Sequence, residues 1–374
     1  MANPNIFFTP TAPPSPCVSN PELEAQIRAN RSDEAAYLVY ADWLTANGDP
    51  RGELAMVQHK RLHAREQEIL TANGGFLAGV SPEVASVRWR LGTWEMLRFM
   101  NDMDWMDSSF DTRAVASRLF DHPAAACLDE LRVGILRWED QAEDVPALLD
   151  EAAGRAFAPQ LRKLVFGDGG EMEDVDNAHH SVGDLSVISR AFPRLEELHI
   201  WGYEIALGEA LELPELRSLR IETCGLSRAA LAAVTRPTWG KLERLDVWFG
   251  SSDYGSEATL EDLRRLLDGS AIPHVRHLGL MNTELANEIA SVLGGAKVLA
   301  QLESLDLSMG TLDDAGAGAL VAAAPAWKHL KSLNVSRNFL SDDAIAALGE
   351  VGPEIIDGEQ NDADEEYRYV TVSE

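Results

Sequence analysis

The sequence predicts an α/β leucine-patterned solenoid, with parallel strands on a concave face, helices on a convex face and a small N-terminal helical cap domain. Three observations predict it. An apolar pattern, Leu-x-x-Leu-x-Leu, recurs eight times between residues 128 and 335. Helix-forming stretches separate the copies, and residues 20–80 show helical patterns without the repeat. Such units stack into a curved solenoid because none can bury its apolar face alone.

Composition restricts the partners that the chain can have. Its 374 residues include 32 Lys and Arg against 61 Asp and Glu, a formal charge of −29. That charge, if evenly spread, repels phosphate backbones and anionic lipid, so we expect no nucleic acid and no membrane partner. A protein with a basic surface is the expected partner. No apolar run reaches the roughly 18 residues of a membrane span.

Cysteine usage and the N-terminus predict a cytoplasmic protein. Cys17, Cys127 and Cys224 are too few and too scattered for a disulfide framework or a paired-cysteine zinc site. Residues 1–19 contain several prolines where a signal helix would stand, and we expect a disordered leader there.

The eight copies share one spacing rule. They begin at Leu128, Leu161, Leu195, Leu216, Leu242, Val275, Leu302 and Leu330, with steps of 33, 34, 21, 26, 33, 27 and 28 residues, about 29 on average. The pattern and this period resemble those of the leucine-rich repeat family. The fourth and sixth template positions are two apart, as in a strand that buries both side chains on one side. We place the solenoid at residues 81–358, with degenerate first and last repeats.

The segments between and before the copies predict the remaining elements. Val87–Phe99 alternates around Gly92, which predicts a hairpin or a capping strand, with Met96–Phe99 in place of a degenerate first repeat. Ser227 and Ser341 precede helical patterns as expected N-caps, and Gly349 is the expected end of the last helix.

The N-terminal segment predicts three short helices. Asn20 and Ser32 are the expected N-caps of the first two, Gly48 the expected stop of the second, and a third runs from Arg51 to Leu70. The string from Leu38 to Gln58 resembles the bacterial repeat-companion domain. The matching residues are Tyr40, Asp42, Trp43, Gly48, Asp49, Pro50, Arg51, Gly52 and Glu53. The resemblance implies a bacterial repeat protein and carries no chemistry with it. We interpret the segment as a cap in which Tyr40 and Trp43 pack a small core.

The ninth template position should carry Asn or Cys to satisfy backbone groups at the turn. It is Asn338 in the last copy and Cys224 in an earlier one. The other copies carry Thr283, Gly250, Gly310, Gly169, Tyr203 and Leu136. We therefore expect an incomplete polar ladder and a structural Cys224.

The candidate binding site lies on the concave face. The seventh template position places Trp201, Glu222, Trp248 and Met281 on neighbouring strands, and Phe249 follows directly. A row of large apolar side chains predicts a protein-binding surface. We take Trp201, Trp248, Phe249 and Met281 as its apolar anchors. Arg220, Arg244, Asp246 and His277 are its expected polar selectors. The alternative is that Trp201 or Phe249 packs into the solenoid edge.

Acidic turns follow the strands, at residues 101–107, 138–144 and 251–257 among others. On one edge of a solenoid their charges would add to a field that steers a basic partner. An ordinary solvated acidic surface is the equal alternative.

No catalytic combination is present in the sequence, so we expect no enzyme activity, no cofactor and no catalytic or metal-ligating residues. Residues 167–184 carry six acids with His179 and His180, and a metal-dependent enzyme using this loop is the alternative. The acidic tail, residues 359–374, offers a further alternative. It ends in YRYVTVSE, either a last edge strand or a free segment that a partner could recognise.

Overall fold

The computed structural model describes residues 17–100, 111–136, 141–168, 177–365 and 367–373. The chain divides into two compact units, Met1–Gly170 with Arg190–Leu195, and Glu171–Ser189 with Glu196–Glu374. Both units are α/β with predominantly parallel strands, in agreement with the predicted fold class. Within the described residues, no helix is long and apolar enough to cross a membrane.

The first unit begins with helices and continues as a sheet. Its elements are α1 (Pro21–Ala29), α2 (Glu34–Ala46), α3 (Arg51–His59), α4 (His63–Ala72), β1 (Ala85–Arg90), β2 (Thr93–Phe99), α5 (Thr112–Phe120), β3 (Glu130–Val133), α6 (Asp144–Ala153) and β4 (Lys163–Phe166). Strand β1 pairs antiparallel with β2, and β2, β3 and β4 are parallel. The hairpin expected between Val87 and Phe99 is present. Leu91 and Gly92 take φ angles of 45° and 80°, as a tight two-residue hairpin turn requires.

The helical segment differs from the prediction in two details. The expected third helix is two helices, α3 and α4, because the backbone at Arg61 is left-handed with φ 55°. Asn20 caps α1 as predicted, whereas Asp33 rather than Ser32 caps α2. Gly48, with φ 73°, follows α2 as its stop.

The second unit repeats a strand–turn–helix unit. Its elements are β5 (Ser181–Asp184), α7 (Ile188–Ala191, shared with the first unit), β6 (Glu197–Trp201), β7 (Tyr203–Ala206), β8 (Ser218–Glu222), α8 (Arg228–Thr235), β9 (Arg244–Gly250), α9 (Arg264–Leu267), β10 (His277–Thr283), α10 (Ala286–Leu293), β11 (Ser304–Asp306), α11 (Asp314–Ala322), α12 (Ala324–Trp327), β12 (Ser332–Asn334), α13 (Asp342–Val351) and β13 (Glu354–Ile356). Strands β6, β8, β9, β10, β11, β12 and β13 follow one another in a parallel sheet, and β5 pairs with β7.

The register of this sheet follows the sequence template. The fourth-position leucines are direct partners from strand to strand, and all are buried: Leu198, Leu219, Leu245, Leu278, Leu305 and Leu333. Because side chains alternate across a strand, positions three, five and seven lie on the opposite side. We call this side of β6, β8, β9, β10, β11 and β12 the open face.

The helices of the second unit each bury an apolar stripe. Leu231, Ile289, Leu320 and Leu348 have no exposed surface. Ser227 and Ser341 accept hydrogen bonds from the backbone N–H of the third residue beyond them, which confirms both predicted N-caps. The prediction for Gly349 is wrong: its backbone is helical rather than left-handed, and α13 continues through it to Val351.

Asparagine side chains close two of the turns. Asn338 is buried, as the template predicts, and its Nδ2 donates to three backbone carbonyls while its Oδ1 accepts from the N–H of Leu312. The second turn is the one at the buried Cys224. The asparagine that closes it is Asn177, which lies outside that copy of the template. The side chain of Asn177 accepts from the Cys224 N–H and donates to the Glu222 carbonyl.

The C-terminal segment neither adds a strand nor lies free. β13 is the expected truncated strand and pairs parallel with β12. Residues 367–373 then cross the turns that follow β12 and β11 and reach the end of β10. Val370 is buried there, with 1% of its surface exposed.

Candidate functional site

The open face carries the predicted apolar row. Trp201, Trp248 and Met281 are all partly exposed. Met281 is the direct strand partner of Trp248, and Trp201 that of Glu222. Because Ile221 pairs with Val247, Glu222 stands beside Trp248 one residue further on. The four seventh-position residues therefore occupy four neighbouring strands in one register.

Trp201 is partly covered by a neighbouring segment. Its ring lies 5.4 Å from the ring of buried His180, just before β5. Next to it, a Cβ on Gly202 would lie 2.6 Å from the His180 carbonyl oxygen, so the two backbones are in close contact. The alternative that Trp201 packs under a neighbouring segment holds in part, because its ring contacts His180 while the residue stays partly exposed.

Phe249 is not part of the exposed surface. Only 1% of its side chain is accessible, because β9 continues to Gly250 and strand alternation turns the eighth position toward the core. The expectation that it serves as an apolar anchor is therefore corrected. Its burial is the edge packing that the sequence had left as an alternative.

The polar residues around the row are paired with one another. Arg244 Nη1 lies 3.0 Å from the Asp246 carboxylate, and Arg220 Nε lies 3.7 Å from the same group. Arg220 is also 3.3 Å from Glu222, whose carboxylate contacts His199 Nε2 at 3.0 Å. Both arginines remain about half exposed, whereas Asp246 is buried. The open face thus presents two guanidinium groups whose positions are fixed by the buried carboxylate of Asp246.

Gly279 explains how Asp246 can be buried here. A Cβ at residue 279 would lie 2.8 Å from Asp246 Oδ1 and 3.0 Å from Met281 Sδ. The glycine therefore leaves the space that both side chains occupy, and brings the carboxylate beside the thioether. His277, one row away, shares a hydrogen bond of 2.7 Å with Ser304.

A charge ladder at the second template position escaped the sequence reasoning. The sign alternates from copy to copy in the second unit: Glu196, Arg217, Glu243, Arg276, Glu303 and Lys331. Arg217 pairs with Glu243 at 2.5 Å, and Arg276 and Lys331 both pair with Glu303, at 2.7 and 2.6 Å. Hydrogen bonds from Lys331 and Arg276 lower the pKa of Glu303 to about 2. The alternation of charge sign at the second template position is the feature of the sequence that could have predicted this ladder.

The charge ladder also lines an open cleft of about 420 Å³. The cleft walls include Arg217, Lys241, His274 and Arg276 together with Glu243. Its arginines and its lysine are each engaged with a glutamate, Lys241 with Glu215 at 2.6 Å. We therefore assign these charges to stabilising neighbouring repeats.

The predicted acidic sites fall largely outside the described residues. These are the turn at residues 101–107, residues 137–140 of the next turn, and residues 169–176 of the histidine-containing loop. Elsewhere in the described ranges, no group of three or more His, Cys, Asp or Glu side chains could hold a metal ion. The turn at residues 251–257 is held by Glu284, which accepts hydrogen bonds from Ser251 and Ser252.

Several of the residues that carry the resemblance to the companion domain pack in a buried core, whereas Asp42, Gly48 and Glu53 are exposed. Asp49 and Arg51 are both buried, and Arg51 Nη2 donates to Asp49 Oδ2 at 2.7 Å. Tyr40 donates to Glu24, and its ring stacks 6.0 Å from that of Trp43. Arg31 donates to the carbonyls of Cys127, Leu128 and Gln160, which fastens the helices to the first repeats of the same unit.

Comparison with solved structures shows a similarity in fold. No protein-family model matches the sequence, and no curated protein matches it. A crystal structure of a Bacteroides fragilis protein, a target of the Northeast Structural Genomics Consortium, matches with a TM-score of 0.59. The two are 26% identical over 70% of this chain and 73% of that chain. The chain is therefore similar in fold to a bacterial protein.

Proposed function

We propose that the chain is a non-catalytic leucine-rich repeat recognition protein that binds another protein on the open face of its second unit. In this proposal the repeats form a solenoid, the open face is its concave side, and the helical segment caps the first repeats. The resemblance to a bacterial repeat-companion protein belongs to the same proposal.

The observation that carries the proposal is the pair Trp248 and Met281. The two side chains are direct strand partners, both partly exposed on the face that bears no helix. Adjacent exposed Trp and Met side chains next to arginines have the composition of a protein-binding hot spot. Trp201 extends the row on the far side of Glu222.

The polar surroundings support recognition of a protein with mixed charge. Arg220 and Arg244 are held by Asp246 and keep about half of their side-chain surface in water. A partner carboxylate can meet these positioned guanidinium groups with little further loss of side-chain entropy. The formal charge of −29 supports long-range attraction of a partner whose wider surface is basic. A cytoplasmic location follows from the same reading of the sequence.

The proposal is tested by affinity capture from a lysate of the host cell. Wild-type chain, Trp248→Ala/Met281→Ala and a control, Val292→Ala, are used as baits. Val292 is an exposed apolar residue on α10, away from the open face. We expect a specific protein that wild type and control retain and that the double variant loses at least tenfold. Equal recovery by all three folded baits would contradict the assignment.

A further inference from the structure

The C-terminal segment, residues 367–373, occupies a set of contacts that resemble those of a bound peptide. The side chain of Asn282 forms two hydrogen bonds with the backbone of this segment. The Asn282 Oδ1 accepts from the Val372 N–H at 2.9 Å, and its Nδ2 donates to the Val372 carbonyl at 2.8 Å. The N–H of Thr371 donates to the Met309 carbonyl at 2.9 Å. These hydrogen bonds contact only backbone groups of the segment, so they do not depend on its side chains.

Two side chains of the segment supply the sequence preference. Arg368 forms an ion pair with Asp313 and lies over the Phe339 ring, 5.9 Å from its centre. Val370 is buried, whereas Tyr367 is 73% exposed. Recognition therefore depends on an arginine and an aliphatic residue two positions later.

The receiving residues are built into the repeats. Asn282, Met309 and Arg337 hold the eighth template position in three successive copies, all with positive φ angles of 50°, 70° and 54°. Asn282 lies near the end of β10, whereas Met309 and Arg337 lie in the turns that follow β11 and β12. Asn282 is fully buried with the segment in place, and its side-chain nitrogen and oxygen both bond to Val372. The positive φ angle recurs at the eighth position of successive copies, so the backbone geometry that receives the segment belongs to the repeat.

We propose that the turns after β10, β11 and β12 form a binding groove for an extended peptide with the pattern Arg-x-Val, and that residues 367–373 are its resident ligand. A protein carrying such a segment then binds only by displacing the tail. The tail is held by three hydrogen bonds to its backbone, the buried Val370, the Arg368–Asp313 ion pair and the contacts of Arg368 and Tyr369 with the Phe339 ring. Each of these contacts is individually modest, which permits exchange. The groove ends at Asn282, the residue after Met281, so it borders the open face without being part of it.

The test uses the full chain. In Arg368→Ala/Val370→Ser both anchors are lost and the tail is released, while the groove is unchanged. A labelled peptide of residues 367–374 is titrated into this variant and into wild type, with folding checked by circular dichroism and urea unfolding. We expect the variant to bind, and wild type to bind at least tenfold more weakly, because the tethered tail competes at a millimolar effective concentration. A peptide with the same two substitutions should not bind.

Two controls keep the result decisive. Asn282→Asp, added to the released-tail variant, removes the Nδ2 donor and should weaken peptide binding at least fivefold. In wild type, excess peptide should speed amide hydrogen exchange of residues 370–372 in a dose-dependent manner, a measurement that needs no variant. The proposal would be overturned if the released-tail variant is folded and does not bind the peptide at millimolar concentration. Equal binding by wild type, or tail exchange that peptide leaves unchanged, would overturn it too.

Discussion

Asn177 Oδ1 accepts a hydrogen bond of 2.8 Å from the backbone N–H of Cys224, which lies 47 residues further along the chain. In the same contact Asn177 Nδ2 donates to the Glu222 carbonyl. At Cys224 the amide of Asn177 thus bonds to the backbone of the turn, as the amide of Asn338 does at the ninth position of its own copy. Loop residues can complete a turn whose own template residue lacks an amide.

The first prediction concerns this contact. Asn177→Ala removes the acceptor of the buried Cys224 N–H, while the Glu222 carbonyl keeps its hydrogen bond from the Gly202 N–H, and the change should lower the free energy of unfolding by about 1–3 kcal/mol. The measurement is urea unfolding followed by circular dichroism. Asn30→Ala is the control, since Asn30 is exposed and its side chain accepts only from Ser32. Equal loss in both variants would mean that the Asn177 amide has no special role.

The second prediction compares two glycines. Gly250 has φ 78°, and a Cβ there would lie 1.8 Å from the Cys224 carbonyl oxygen. Gly250→Ala should therefore destabilise the chain by more than about 2 kcal/mol. Gly349 lies inside α13 with nothing within 4 Å of its Cβ position, and Gly349→Ala should stabilise by about 0.5–1 kcal/mol. Thermal unfolding of the two variants is measured side by side. A loss of stability in Gly250→Ala alone shows that the backbone conformation and close contact at Gly250 require glycine, and equal effects in both variants would contradict this.

The third prediction concerns pH. Burial, with a contribution from Arg51, lowers the pKa of His122 from 6.5 to about 3, and its ring stacks 4.8 Å from that of Trp94. Below pH 6.5 His122 becomes protonated in the unfolded chain, whereas in the folded chain it stays neutral until the pH approaches 3. This part of the stability is therefore complete above pH 6.5 and is lost as the pH falls toward 3. Between pH 6.5 and 4.5 the loss should be on the order of 2 kcal/mol.

A stacking variant isolates this effect. His122→Phe keeps a ring on Trp94 but cannot be protonated, so its unfolding free energy should fall less steeply with acid than that of wild type. His63→Gln is the control, because the His63 side chain is 84% exposed. If the phenylalanine variant and wild type show the same acid slope in urea unfolding, His122 does not titrate as described.

The repeated features were predictable because they depend on spacing alone. The leucine row from Leu198 to Leu333 and the hairpin at Gly92 each follow from apolar periodicity or a turn residue, and both are present. The register of Trp248 and Met281 follows from the same spacing.

Long-range and conformational features had no such signal. Nothing around Asn177 indicates that it serves a turn 47 residues away, and nothing at Arg61 indicates a left-handed residue that divides one helix into two. Phe249 was misread because an aromatic residue after an exposed position can face either side until the length of β9 is known. The pattern of residues 367–372 suits an edge strand, a free tail or a docked segment equally.

The central claim is that Trp248 and Met281 face a protein partner. Hydroxyl-radical footprinting tests it directly, since Met and Trp side chains are readily oxidised where they are accessible. Trp43 and Met56 in the helical segment are partly exposed and serve as internal controls of the same residue types. With the captured partner bound, oxidation of Trp248 and Met281 should fall several-fold while that of Trp43 and Met56 stays constant. Unchanged oxidation of Trp248 and Met281, or protection confined to Trp43 and Met56, would contradict the account.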